Sequence, residues 1–232
     1  MRVQGKKVAI LGDSHVDGSV MGKELEKLLT QGGATVKRFG WGGSAARTWL
    51  AGKPALKKHF TVEGVKAEGP YDIVIISLGT NDGANAGVGT QDPARLKAEA
   101  EKSVGQIKQI ADTIGGRTTF WVEPPPMLDR VKHYTNFNID FVRNAGRAVY
   151  GSKAIDSTRI GTPDGDGVHP GGRAGKVWAE LVNTTILNAP DEATMLPSVL
   201  TLGGRVSPWA SLAVLLAVIG GGIAVKLRLA KK

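Results

Sequence analysis

Two patterns of apolar residues alternate along the first 190 residues of the chain. Short continuous apolar runs, rich in β-branched residues, have the length of buried strands and occur at 7–11, 34–39, 71–78 and 118–122, with a shorter one at 153–156. Stretches with apolar residues three or four positions apart predict helices at 21–29, 93–114, 138–149 and 174–182. Strands that alternate with helices predict an α/β fold with three α/β/α layers around a sheet of about five parallel strands.

Polar and glycine-rich stretches follow the first three predicted strands. These stretches are Gly-Asp-Ser-His at 12–15, a Gly-Gly pair at 42–43 and Gly-Thr-Asn-Asp at 79–82. Because the carboxyl ends of parallel strands meet at one edge of a sheet, where open sheets bind their ligands, we expect the three stretches to lie close together.

A fourth stretch, Asp-Gly-Val-His at 166–169, supplies a base. Asp166 can fold back onto the ring of His169, and a neutral imidazole held in this way could take a proton from Ser14. Asn81 and backbone amides near the glycine pair could then stabilise the oxyanion that forms when a serine attacks an ester. Together the four stretches supply the parts that ester hydrolysis needs.

Each stretch also has a plainer interpretation when it is taken alone. Gly-Asp-Ser is common turn chemistry, and Asn81 could serve as an Asx turn or a helix cap. The glycine pair is typical of a flexible loop, while Asp166 and His169 could form a surface pair. The catalytic interpretation therefore rests on their combination.

In this combination the chain resembles the SGNH hydrolases, or GDSL-type esterases, over about residues 6–188. Ser14 matches the family's nucleophile, 79–82 its Gly-x-Asn-Asp block and 166–169 its Asp-x-x-His block. The resemblance implies a flavodoxin-like fold, Ser14 as nucleophile, His169 as base and Asp166 as its orienting carboxylate. It also implies an oxyanion hole formed by the backbone amides of Ser14 and a glycine and by the side chain of Asn81. We expect no metal and no cofactor.

Two departures from the family pattern affect this assignment. His15 stands where the family name implies leucine after the serine. Either Gly42 or Gly43 could supply the second backbone amide, and Gly43 is favoured because it precedes the small polar Ser44. The Gly-x-Ser-x-Gly pentapeptide of ordinary α/β-hydrolases is absent from the sequence.

Composition and charge narrow the function further. The chain has 30 basic and 21 acidic residues, a net charge of +9 and no cysteine, which excludes a disulfide framework and a thiolate metal site. No nucleic-acid-binding motif is present. Aromatic and basic side chains near the glycine pair suit a carbohydrate or another polar acyl donor, although aromatics in such a position are more often core. The candidates for substrate binding are Asp13, Trp41, Gly42 and Arg47.

The C-terminal segment differs in kind from the rest. Residues 206–225 are twenty consecutive uncharged residues, and a helix of that length spans about 30 Å, the thickness of the bilayer's hydrocarbon core. We therefore expect a catalytic domain at 1–188, a linker at 189–205, a transmembrane helix at 206–225 that contacts lipid, and a basic tail at 226–232. The small residues Gly220 and Ala224 could let this helix pair with a second copy.

The side of the membrane stays open. The N-terminus has too short an apolar core for a secretion signal, yet the basic tail favours the cytosolic side. A viral or cell-envelope membrane is one resolution of this conflict.

The sequence thus predicts a membrane-anchored serine esterase that removes small acyl groups through an acyl-enzyme. O-acetyl groups on glycans or peptidoglycan are the favoured substrates, by analogy with the family. One alternative is a non-catalytic structural or binding membrane protein, such as a virion or envelope component. Another is a lipase or thioesterase that acts on membrane lipids.

Overall fold

Five parallel strands form the central sheet of the protein. The computed structural model describes residues 1–52, 61–129, 131–161 and 165–190. The strands are β1 (Lys7–Gly12), β2 (Thr35–Gly40), β3 (Ile73–Ser77), β4 (Thr118–Val122) and β5 (Ala154–Ile155). They lie in the order β2-β1-β3-β4-β5, and every neighbouring pair is parallel. The order reverses between β1 and β3, and an open sheet binds its ligands at such a reversal.

Helices cover both faces of this sheet. In β3, Val74 and Ile76 point into one apolar cluster, whereas Ile73 and Ile75 point into the other. Alternate residues of a strand face opposite sides, so a strand buried on both faces is apolar throughout. The helices are α1 (Ser14–Asp17), α2 (Val20–Gln31), α3 (Ala46–Ala51), α4 (Val62–Ala67), α5 (Thr80–Ala86), α6 (Pro93–Ile114), α7 (Asn136–Tyr150) and α8 (Gly172–Asn188).

The two clusters divide six of the helices into two layers. Helices α2 and α8 pack on the face of Ile73, and α3, α4, α6 and α7 pack on the face of Val74. The predicted fold class, a three-layer α/β/α arrangement around a five-stranded parallel sheet, is confirmed. The limits of the predicted domains stay a prediction.

Periodicity predicted the long elements closely and missed the short ones. Helix α6 and strand β4 have the predicted bounds. The bounds of α6 are well marked in the sequence, because the helix begins after the cap Asp92 with Pro93 in its first turn and ends at the left-handed Gly115. Helices α1, α3, α4 and α5 have four to seven residues each, too few to show a helical period. Three of them follow strands at the edge that carries the polar stretches.

The prediction of a membrane location is wrong for the part of the chain that the structure describes. Across residues 1–52, 61–129, 131–161 and 165–190, none of the helices has both the length and the apolar character needed to cross a bilayer. The longest, α6, has 22 residues but carries charged pairs along its exposed side, such as Lys108 with Asp112. The segment at 206–225, its proposed lipid contact and its proposed self-pairing lie outside the described residues, as do the tail at 226–232 and the linker after residue 190.

Candidate active site

Ser14 lies in the turn where β1 passes into α1. Asp13 caps this helix, because its Oδ1 accepts a hydrogen bond from the backbone amide of His15 at 2.9 Å. Helix α1 packs closely on the end of β2, where a Cβ at Gly40 would lie 2.2 Å from the Cα of Asp17. A glycine is therefore required at position 40 for α1, and with it Ser14, to sit at this edge of the sheet.

His169 and Asp166 come from the loop before α8. The Oδ1 of Asp166 accepts hydrogen bonds from the backbone amides of Val168 at 2.9 Å and His169 at 2.7 Å, so the carboxylate folds back onto its own loop. Its Oδ2 lies 2.8 Å from Nδ1 of His169. The Nε2 of the same ring lies 2.8 Å from Oγ of Ser14. The structure thus brings together the three residues predicted as a triad, although 155 positions separate Ser14 from His169.

The charge of Asp166 determines the tautomer of the histidine. Burial raises the pKa of the Asp166 carboxyl, but hydrogen bonds from the backbone and ring of His169 and from the backbone of Val168 lower it more, so the net shift is downward. An ionised carboxylate can only accept, and Nδ1 of His169 therefore carries the proton that it donates to Asp166. Nε2 is left as an acceptor, and the hydroxyl of Ser14 donates to it.

A cavity of about 490 Å³ opens beside Ser14. The side chains of His169 and Asp166 are 39% and 61% exposed, so a ligand can reach the site from solvent. The polar residues Asp17 and Ser19 and the apolar Val20 and Pro170 line the cavity together with the triad. This lining suits a ligand with both polar and small apolar parts.

The predicted oxyanion donors come from segments at the same edge of the sheet as Ser14. Gly12 in β1 pairs with Ser77 in β3, so the residues that follow these neighbouring strands share one edge. The backbone amide of Ser14, in the first turn of α1, has no acceptor among the described residues. The side-chain amide of Asn81 donates to the carbonyl of Ser44 at 2.9 Å and faces Oδ2 of Asp13 at 3.3 Å. To donate to an oxyanion, Asn81 would have to give up the longer contact.

The glycine pair divides into one engaged and one available amide. The amide of Gly42 donates to Oδ2 of Asp17 at 3.3 Å. Gly43 has a φ of +72°, in the left-handed region, and across the described residues its amide has no acceptor. The geometry therefore favours Gly43 over Gly42 as a donor to a ligand, while its role in an oxyanion hole stays a prediction.

Asp82 fixes the segment that follows the glycine pair, a contact that the sequence did not reveal. Its two carboxylate oxygens lie 3.1 and 3.2 Å from the backbone nitrogen of Ala46, which donates to them. Asp82 is 5% exposed, and burial raises the pKa of its carboxyl to about 6 against the lowering effect of the amide of Ala46. Asn81 and Asp82 thus connect the end of β3 to the segment that carries Gly43.

Tyr134 is a second residue that sequence reasoning missed. Its hydroxyl donates a hydrogen bond of 2.7 Å to Oδ1 of Asn81. The tyrosine belongs to the irregular segment between β4 and α7, in which the sequence marked no candidate site residue. No local pattern marks Tyr134, because its partner lies 53 residues earlier.

The four substrate-binding candidates lie around the site but not on the cavity beside Ser14. Asp13 is fully buried, and burial raises the pKa of its carboxyl to about 7. Trp41 packs edge to face on Trp49 with ring centroids 5.7 Å apart, at the border of the core. Gly42 is exposed, and Arg47 lines a different cavity. In the described residues, none of the four lines the cavity of the triad.

His15, the departure from the family pattern, is buried behind the base. Its ring centroid lies 5.2 Å from those of His169 and Trp178. Neither ring nitrogen has a hydrogen-bond partner in the described part of the chain. Burial, with a smaller contribution from His169, lowers the pKa of His15 to about 3, so its ring is neutral near pH 7. His15 therefore packs as an uncharged ring under His169.

Solved structures of esterases share this fold at low sequence identity. A carbohydrate acetylesterase from Sinorhizobium meliloti is 18% identical with a TM-score of 0.53, over 78% of this chain and 98% of that one. An aryl esterase from M. smegmatis is 19% identical with a TM-score of 0.55, over 79% and 99%. A variant of an acetyl-xylooligosaccharide esterase from Geobacillus is 17% identical with a TM-score of 0.57, over 80% and 96%.

Other comparisons give no match: no family model matches the chain, and neither does any curated protein at a significant level. These structural neighbours are named as esterases, and at identities below 20% they show a common fold. The prediction of a carboxylic ester hydrolase agrees with these neighbours. The chain therefore shares the fold of these esterases.

Proposed function

We propose that this protein is a serine esterase that removes small acyl groups, above all O-acetyl groups, from glycans. The observation that carries the proposal is the continuous contact from Asp166 through His169 to Ser14, with 2.8 Å at each step. A serine in hydrogen-bond contact with an imidazole that a carboxylate orients is an activated nucleophile.

The reaction follows from this geometry. Oγ of Ser14 attacks the ester carbonyl carbon while its proton passes to Nε2 of His169. The carbonyl oxygen becomes an oxyanion beside the amides of Ser14 and Gly43 and the side chain of Asn81. The bond to the leaving alcohol then breaks, and the alcohol takes the proton from His169. Water, deprotonated by the same nitrogen, releases the acid from the acyl-enzyme and restores the hydroxyl of Ser14.

Glycan acetates are supported as substrates by two observations. The cavity beside Ser14 combines the polar side chains of Asp17 and Ser19 with the small apolar surface of Val20 and Pro170, which suits a short acyl group on a polar carrier. Two of the structural neighbours are named for acetylated carbohydrates, a carbohydrate acetylesterase and an acetyl-xylooligosaccharide esterase.

The first test of this function is hydrolysis of nitrophenyl acetate by the full chain and by Ser14→Ala. We expect the variant to lose at least about 10⁴-fold in kcat, because the nucleophile is gone. The matched control is Ser152→Ala, which changes an exposed serine that does not line the cavity beside Ser14, and it keeps the wild-type rate. Equal rates in wild type and Ser14→Ala, or failure of a fluorophosphonate to label Ser14 in the folded protein, would favour a non-catalytic binding protein.

The second test addresses the substrate. We expect release of acetate from acetylated xylo-oligosaccharides, followed by proton NMR, and at least about a tenfold preference in kcat/KM for acetyl over octanoyl nitrophenyl esters. A preference for the octanoyl ester would contradict the assignment to acetyl groups and favour a lipase. Ser14→Ala again separates enzymatic release from spontaneous hydrolysis.

A further inference from the structure

A second cavity lies between α3, α5 and α6, apart from the one beside Ser14. It has a volume of about 270 Å³, and none of its lining residues lines the cavity of the triad. Arg47 from α3, Asp82 from α5 and Arg95 from α6 contribute to its wall. Nothing in the proposed ester hydrolysis uses this space.

The cavity presents two arginines without a carboxylate partner. Within the described residues, neither Arg47 nor Arg95 forms a hydrogen bond or an ion pair. Of the other charged residues on the wall, Lys102 pairs with Glu99 at 3.7 Å. Asp82 is engaged with the backbone of Ala46 and the hydroxyl of Ser103, and it interacts with Arg47 only at longer range. The charge that remains for a ligand is therefore positive.

Neutral donors complete the wall. Asn85 and Gln106 contribute side-chain amides, whereas the hydroxyl of Ser103, also on the wall, is directed to the carboxylate of Asp82. A guanidinium presents two parallel N–H groups that match two oxygens of a phosphate or carboxylate, and such bonds are about twice as strong as those between neutral groups. A space of this size holds a small oxyanion or a phosphate on a small carrier.

The wall of the cavity also reaches the predicted oxyanion hole. Asp82 follows Asn81 directly, and its carboxylate holds Ala46, three residues after Gly43. An anion in the cavity would repel the charge on Asp82 and weaken the bonds that its oxygens accept from Ala46. Loosening of that segment would change the position of the Gly43 amide.

From this juxtaposition we propose that the cavity binds a small oxyanion of the phosphate type between Arg47 and Arg95, and that Asp82 transmits its occupancy to the oxyanion hole. The binding part stands whether or not the protein is an esterase. The coupling part rests on the proposed function: phosphate bound in the cavity inhibits ester hydrolysis.

Calorimetric titration of the full chain with inorganic phosphate, at constant ionic strength, tests the binding part. We expect one site, and at least about a tenfold loss of affinity in Arg47→Gln and in Arg95→Gln, because each removes a charge-assisted bidentate contact. The matched control Lys97→Gln changes an exposed cation of the same helix that does not line the cavity, and it binds like wild type. Ser14→Ala also binds like wild type, which separates this site from the triad.

Two outcomes overturn the binding part: no heat of binding in wild type, or equal affinities in wild type and both arginine variants. Since calorimetry does not depend on catalysis, either outcome is distinguishable from a failure of the esterase proposal. For the coupling part, we expect saturating phosphate to lower kcat on nitrophenyl acetate about fivefold in wild type and not in Arg95→Gln. Phosphate that binds without changing kcat in wild type overturns the coupling.

Discussion

The hydroxyl of Tyr134 donates a 2.7 Å hydrogen bond to Oδ1 of Asn81. An amide side chain can be turned by half a rotation with little change in shape, which exchanges its oxygen and its nitrogen. The carbonyl of Ser44 can only accept, so it holds the nitrogen of Asn81 on its side, and the hydroxyl of Tyr134 binds the oxygen on the other side. Tyr134 is thus a positioning residue for the predicted oxyanion donor.

Tyr134→Phe removes this bond while it keeps the ring. We expect kcat on nitrophenyl acetate to fall about tenfold, the equivalent of one neutral hydrogen bond lost in the transition state, with little change in KM. Tyr150→Phe is the matched control, since the buried hydroxyl of Tyr150 has no partner among the described residues and its ring stacks on Trp121 away from the site. An equal fall of kcat in both variants would show that Tyr134 acts only on the fold.

Asp166→Asn tests how His169 is oriented. The asparagine keeps the size of the side chain but loses the charge that holds the proton on Nδ1, so we expect kcat to fall about 10⁴-fold. The Asp166 side chain is 61% exposed, and the melting temperature should change little. Glu101→Gln, an exposed acidic residue on α6, is the control for the lost charge. A kcat within about tenfold of wild type would contradict the role of Asp166.

The sequence predicted the edge of the sheet where the site lies, because the apolar pattern marks the strands and the polar stretches follow directly at their carboxyl ends. The strand that ends at Gly12 and the strand that ends at Ser77 have continuous apolar runs at 8–11 and 73–76, which predict that both are buried in a parallel sheet and that the polar residues after them meet. His169 could be added because Asp166 lies three positions before it and a local fold connects them. These inferences use only residues that are close in sequence or that follow neighbouring strands of the sheet.

The contacts that the sequence did not predict depend on packing between segments that are distant in the chain. Asp13 looked like a substrate ligand beside Ser14, but its carboxyl turns inward to His15 and Asn81 and is fully buried. The partners of Asp82 and Tyr134 lie 36 and 53 positions away and have no periodic signal. Arg47 was placed near the glycine pair by sequence, yet α3 carries it into another cavity.

Asp13→Asn should change how stability depends on pH. Burial raises the pKa of Asp13 to about 7 from 3.8, so between these values the folded protein holds a proton that the unfolded chain has lost. Stability of the wild type is therefore reduced as pH rises through this window, by up to about 1.4 kcal/mol per pH unit from this group. The asparagine cannot ionise and lacks this contribution.

Urea unfolding from pH 4.5 to 7.5 measures the effect as a difference between variant and wild type, which cancels other titrating groups. We expect Asp13→Asn to gain stability relative to wild type as pH rises, on top of a constant loss because its amide would face the amide of Asn81. Asp112→Asn, on the exposed side of α6, should show no such slope. A difference independent of pH would mean that Asp13 is ionised in the folded protein throughout.

His15→Phe should have the opposite pH dependence. Burial lowers the pKa of His15 to about 3 from 6.5, so between these values the unfolded chain binds a proton that the folded protein excludes. The contribution of His15 to stability is present above pH 6.5 and is lost as pH falls toward 3. At pH 5 this loss amounts to about 2 kcal/mol relative to pH 8.

Phenylalanine fills the same space between His169 and Trp178 and leaves no unpaired ring nitrogens. We expect His15→Phe to gain about 2 kcal/mol relative to wild type when urea unfolding is measured at pH 5 instead of pH 8. His133→Phe, in a partly exposed loop position, is a control that changes a histidine without the buried environment. If the variant and the wild type lose stability equally between pH 8 and pH 5, then His15 is not held neutral under His169, and its ring must have a proton acceptor in solution.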